Sequence, residues 1–186
     1  MAEEQPNQYD TTSTDGDEGE QSQGTRDRLN DSSAYQRCFA CGMRNDAGLH
    51  LVFRQEGDEV VTEFTADERF QGFPGVVHGG ILATLLDETL NRVAMAEGRM
   101  MMTGRLDIRY RRAAPLGRPL SVGARVRSSR ARMLQAVGEI RLADDDQDEN
   151  GAVIATAEGI FLPVPGDYQQ DTTSRAPELT SFFNLE

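Results

Sequence analysis

Between residues 35 and 164 the spacing of apolar positions changes period several times, and each change marks an element. Leu49-His50-Leu51-Val52-Phe53 and Val60-Val61-Thr62-Glu63-Phe64-Thr65 are short β-branched and aromatic runs separated by Glu56-Gly57-Asp58, which predicts a hairpin. A Gly/Pro loop, Phe70-Gln71-Gly72-Phe73-Pro74-Gly75, follows. From Ile81 to Ala96 the period becomes helical, with Ile81, Leu82, Leu85, Leu86, Leu90, Val93 and Ala94 on one broad face and Gly98 closing the run. Strict alternation then returns. Leu106, Ile108 and Tyr110 alternate with charged residues, as do Leu120, Val122, Ala124 and Val126 with Ser, Gly and Arg. Leu134–Leu142 and Val153–Leu162 complete the set, joined by an acidic loop ending in Asn150-Gly151.

The predicted order is β-β-α-β-β-β-β, an α+β domain with one helix segregated from about six antiparallel strands. More than half of the helix circumference is apolar, so the sheet is expected to curl around it. One long central helix wrapped by a curved antiparallel sheet is the hotdog arrangement. The domain is expected over 35–164. Residues 1–34 are acidic and poor in large apolar side chains, which predicts a disordered N-terminal tail. Residues 165–186 read as a C-terminal tail whose Phe182-Phe183 suggests docking.

Composition narrows the partners. A net charge of −12 argues against nucleic acid. Hydrophobic residues make up 38%, and no apolar run approaches the roughly 20 residues that span a bilayer. The acidic start lacks the parts of a signal peptide, so a cytoplasmic protein with no membrane partner is expected. Every basic side chain is arginine, and nine fall between Arg105 and Arg132.

Two constellations carry candidate chemistry. His78-Gly79-Gly80 sits where the loop enters the helix, where the first amides lack internal partners and face outward with the positive end of the macrodipole. Such amides can hold the oxygen of a thioester as charge develops on it; tight packing alone would also place two glycines there. Asp87 lies at the border of the apolar arc, where a carboxylate has its pKa raised and can act as a base toward water. Glu88 is the rival carboxylate. Cys38-Phe39-Ala40-Cys41-Gly42 is a further conspicuous motif. With only His50 and His78 in the chain it falls short of a four-ligand zinc site, and no metal is expected. A redox pair is the other reading, though no βαβ unit surrounds it.

The stretch FQGFPGVVHGGILATLLDE, followed by MMTGRLDIRYRRAAPLGRPLSV, resembles the acyl-CoA thioesterase superfamily of hotdog proteins. The resemblance covers about 36–163 and is strongest to the branch of phenylacetate-pathway and mammalian thioesterase-superfamily proteins. It implies hydrolysis of a fatty or aromatic acyl-CoA to free acid and CoA without a cofactor. Gly79, with Gly80, would donate to the thioester carbonyl. His78 would orient that carbonyl, and Asp87 would be general base or nucleophile. Thr103 would position the attacking water, facing the Asp of a partner subunit. Gln71 stands where many relatives have Asn. The C-x-x-C-G matches an entry turn of such relatives. A homodimer is implied, with a tetramer left open. Coenzyme A is a phosphorylated nucleotide, so Arg109, Arg111, Arg112 and Arg130 are candidates to bind it; a solvated outer face is the plainer reading of each. Thr103 shares the parity of Arg105 and Arg109, so it points either to a partner or through a bulge at Gly104. The alternatives are a non-catalytic acyl-CoA-binding hotdog protein and a hydratase or dehydratase on the same fold.

Overall fold

The computed structural model describes residues 29–30, 35–143 and 152–169. Within them the strands are β1 (Phe53–Glu56), β2 (Glu59–Thr65), β3 (Met101–Tyr110), β4 (Pro119–Arg130), β5 (Met133–Leu142) and β6 (Val153–Pro163). A short 3-10 turn, Glu68–Phe70, precedes the single long helix α1 (Gly79–Ala96). The six strands form one antiparallel sheet in the order β1-β2-β4-β5-β6-β3. Helix α1 lies against β2 through β6, as the hotdog arrangement requires.

The helix forms where its apolar stripe demands. Leu85, Leu86 and Leu90 are wholly buried, each worth about 1.5–3 kcal/mol of transfer free energy. Leu90 presses onto two glycines of the sheet. A Cβ at Gly138 or Gly159 would lie 3.3 or 3.6 Å from its methyl groups. Gly98, with φ of 71°, ends the helix as an αL cap, and its amide returns to Met95 O at 2.8 Å.

Two expectations shift. The first strand starts at Phe53 rather than Leu49, because His50 takes φ of 53° and breaks the extended run. Leu49 and Leu51 are still buried, their amides bonded to Phe39 O and Ala40 O. The second concerns the N-terminal tail, where Leu29 and Asn30 are docked. Leu29 is fully buried, and Asn30 exchanges hydrogen bonds with the Phe53 backbone at 2.7 and 2.8 Å. The rest of that tail, 1–28 and 31–34, and the C-terminal stretch 170–186 with Phe182 and Phe183, lie outside the described residues. No described helix is long and apolar enough to cross a membrane.

Candidate active site

The loop before α1 is fixed by backbone bonds. His78 N–H donates to Phe70 O, Val77 N–H to Ala114 O, and Leu116 N–H to Gly75 O. His78 is the N-cap in extended conformation, and its Nδ1 accepts from the Gly80 amide at 2.9 Å. This bond places the imidazole hydrogen of a neutral ring on Nε2. It also engages the Gly80 amide, which the sequence had offered to a bound carbonyl. The Gly79 amide has no hydrogen-bond partner among the described residues. The Tyr110 hydroxyl donates to Gly79 O at 2.9 Å, so the end of β3 is pinned to the helix entry.

Asp87 lies half-buried two turns further along α1. Thr103 Oγ1 donates to its Oδ1 at 2.8 Å. This is possible because the β3–β6 register shifts between Thr103 and Arg105, leaving Gly104 as an unpaired extra residue. The bulge turns Thr103 toward α1 and keeps Leu106 and Ile108 against the core. Thr103 therefore meets the Asp of its own chain. Burial pushes the Asp87 carboxyl above its ordinary range, and the nearby Glu88 charge adds to this; the Thr103 hydrogen bond opposes it. Oδ2 carries no hydrogen bond among the described residues.

One distance decides how these groups can work together. Gly79 and Asp87 are eight residues apart on a straight helix, about 12 Å along its axis. A single thioester cannot touch both within one chain.

The other sequence-predicted residues are dispersed. Gln71 Oε1 accepts from the Gly75 amide at 2.9 Å, so it shapes the loop. Arg109, Arg111 and Arg112 lie at the Tyr110 end of β3, near the helix entry, and carry no ion pair among the described residues; Arg105, earlier on the strand, is paired with Asp107 at 2.7 Å. Arg130 is elsewhere. Its carbonyl accepts from Arg99, just past the far end of α1. A concavity of about 900 Å³ lies on the sheet face away from α1. Arg109 and Arg111 line it with acids such as Glu59, Glu139 and Glu158, and it includes none of His78, Asp87 or Thr103.

Tyr110 was missed as a site neighbour because its contact spans 31 residues. Arg92 was missed too. It is 3% exposed and donates to Glu88 Oε1 at 2.6 Å, to Cys41 Sγ at 2.8 Å and to Leu29 O at 2.9 Å, with Phe53 and Tyr35 against its plane. The signal was present: an arginine inside the apolar stripe Leu90–Val93, with an acid four residues earlier.

Residues 74–149 match the family model described as the thioesterase superfamily. The chain is similar to acyl-coenzyme A thioesterase THEM4 of Bos taurus, 27% identical over 138 residues that make up 73% of this chain and 53% of that protein. It is also similar to THEM4 of Rattus norvegicus, 30% identical over 95 residues, 51% of this chain and 41% of that one. It thus spans about half the length of these curated relatives. A crystal structure described as a thioesterase superfamily protein is 33% identical with a TM-score of 0.62, covering 68% of this chain and 60% of that one. Fold, family match and relatives together identify this chain as a hotdog-fold member of the thioesterase superfamily.

Proposed function

We propose that this chain is an acyl-CoA thioesterase whose site is assembled from two copies, with Asp87 and Thr103 of one facing His78 and Gly79 of the other. The observation that carries the reading is the half-buried Asp87, oriented through Oδ1 by Thr103, with Oδ2 left for water. Burial makes such a carboxylate a stronger base than one in water. Asp87 takes a proton from water, the hydroxide adds to the thioester carbon, and the Gly79 amide holds the oxyanion. The thiol of CoA then leaves and the acid is released. The His78–Gly80 hydrogen bond keeps the Gly79 amide pointed outward and presents Nε2–H beside it.

The separation of about 12 Å between Gly79 and Asp87 is what calls for a second copy. Strand β3 supplies a place for it: it is the outer strand of the sheet, and Met102, Tyr110 and Leu162 at that edge are 45%, 51% and 42% exposed. Pairing of β3 with its counterpart in another copy would cover these side chains and satisfy the open edge. Arg109, Arg111 and Arg112, beside the helix entry and without ion pairs among the described residues, suit the phosphates of CoA.

A panel of acyl-CoAs with released CoA measured tests the activity. Binding without hydrolysis across the panel would instead make this an acyl-CoA-binding protein. Gly79→Pro tests the shared site. Proline is tolerated at the first helical position and His78 already has the extended conformation a following proline needs, so only the amide hydrogen is lost. The expected loss is about 10²–10³ in rate. Mixing Gly79→Pro with Asp87→Asn subunits should restore activity through hybrid sites, and no restoration in verified hybrids rules out sharing.

A further inference from the structure

Cys38-Phe39-Ala40-Cys41 takes no part in the proposed hydrolysis, yet the fold surrounds it with a specific electrostatic environment. Cys38 N–H donates to Tyr35 O at 2.8 Å and Gly42 N–H to Cys38 O at 3.0 Å, so the segment winds as a helical turn. Cysteines three apart on such a turn have Cα atoms about 5 Å apart, within the range a disulfide spans. Both thiols are free and half-buried, and their sulfurs and a Glu88 carboxylate oxygen all lie within 4.8 Å of one another. Behind them is the guanidinium of Arg92, 2.8 Å from Cys41 Sγ, with an Nε that has no hydrogen-bond partner among the described residues. A small cavity of about 50 Å³, lined by Cys41, Arg92, Tyr35, Met43 and Leu51, adjoins the pair.

We propose that Cys38 and Cys41 are a reactive dithiol, converted reversibly to an intrachain disulfide by small-molecule disulfides. The Cys38 thiolate attacks one sulfur of the small disulfide, forming a mixed disulfide and expelling one thiolate. Cys41 then loses its proton to solvent and attacks Cys38 Sγ, expelling the second thiolate. Two protein thiols are oxidised and one small disulfide is reduced to two thiols, so atoms and electrons balance. The division of labour follows from the contacts. A hydrogen bond from the Cys41 thiol holds Cys38 at about 6 against an ordinary 9.0, while that bond and burial push Cys41 up. Cys38 is thus a thiolate at neutral pH, and Arg92 is placed to stabilise charge as it reaches Cys41.

The same three groups form a partial metal-ligand set, but two features weigh against that use. Structural zinc sites supply four protein ligands. Here Arg92 already donates to two of the three groups, Cys41 and Glu88, and a cation held by both would lie against its charge.

The test uses the full chain, reduced and then equilibrated without air in glutathione buffers running from fully reduced to fully oxidised. Remaining thiols are trapped by alkylation and located by mass spectrometry. Both thiols should disappear together into a Cys38–Cys41 cross-linked peptide that dithiothreitol reverses. Cys41→Ser should stop at a glutathione adduct on Cys38, and Cys38→Ser should react about tenfold more slowly than the native pair. Thiols that persist at the oxidising end overturn the proposal, as do adducts on both cysteines without a cross-link. One zinc per chain that blocks alkylation until chelated would overturn it in favour of the metal site.

Discussion

On one side of α1, Asp87 accepts a hydrogen bond from the uncharged Thr103 at 2.8 Å; about 100° around the helix, Glu88 accepts one from the guanidinium of Arg92 at 2.6 Å. Adjacent carboxylates of nearly the same chemistry are thereby given different work. Asp87 is half-buried with no cation paired to it among the described residues, so its proton is held more tightly and its anion is more basic. Glu88 neutralises an arginine that is itself 3% exposed, so its charge is committed to the fold. Position on the helix does not distinguish a carboxylate of raised basicity from one committed to an ion pair; the neighbour across the packing interface does.

The largest effect expected from disturbing this arrangement is on rate. Asp87→Asn should lower acyl-CoA hydrolysis by about 10²–10⁴ while the unfolding midpoint is kept. Near-native hydrolysis by that variant would end the assignment. Running the native reaction in ¹⁸O-labelled water for a single turnover separates base from nucleophile: a base leaves no label in Asp87.

Glu88→Ala should have the opposite character. It strands a buried guanidinium, and with Glu88 itself 22% exposed the expected loss is about 3 kcal/mol, at the low end for broken buried pairs. Denaturant unfolding measures it. Rate per folded molecule should be largely retained.

Thr103→Val should cost about tenfold in kcat/KM, the scale of one hydrogen bond to a charged group. It also removes a contact that holds the Asp87 pKa down, so the acid limb of the rate profile should move to higher pH. Glu88→Ala removes a charge that holds it up and should move that limb the other way. Limbs that shift together would mean that Asp87 is not the titrating group.

The smallest effect is on stability against pH. Asp87 has a folded pKa raised above its ordinary 3.8, so its contribution to stability is fully present below that value. It is lost as pH rises through the folded pKa. Asp87→Asn should therefore be more stable than the native chain at neutral pH, with the difference vanishing in acid, as thermal melts across pH would record.

Period was enough to read the helix, the five strands after the first, and the border position of Asp87, because burial on one face imposes it. The start of β1 was not legible. Leu49, Leu51 and Phe53 alternate as a strand should, but His50 in the left-handed region uses the same pattern for a buried irregular segment. Thr103 had two readings, since a bulge is defined by the partner strand and leaves no mark in its own sequence beyond a glycine. Arg92 escaped for a different reason: its partners Leu29, Cys41 and Phe53 come from a segment far away along the chain.

The extra residue at Gly104 makes β3 a caliper. Its two jaws, Thr103 and Tyr110, grip α1 at Asp87 and at Gly79, and the bulge sets the phase at which both close. Deleting Gly104 would make β3 a regular strand in which Thr103 and Tyr110, then six positions apart, still share a face, whereas deleting a paired residue such as Asp107 and keeping the bulge would leave only one of the two facing the helix. The alignment of Asp87 with Thr103 and of Gly79 with Tyr110 is thus encoded in a count of residues along one strand, and the side chains around it can vary freely only while the parity of that count is kept.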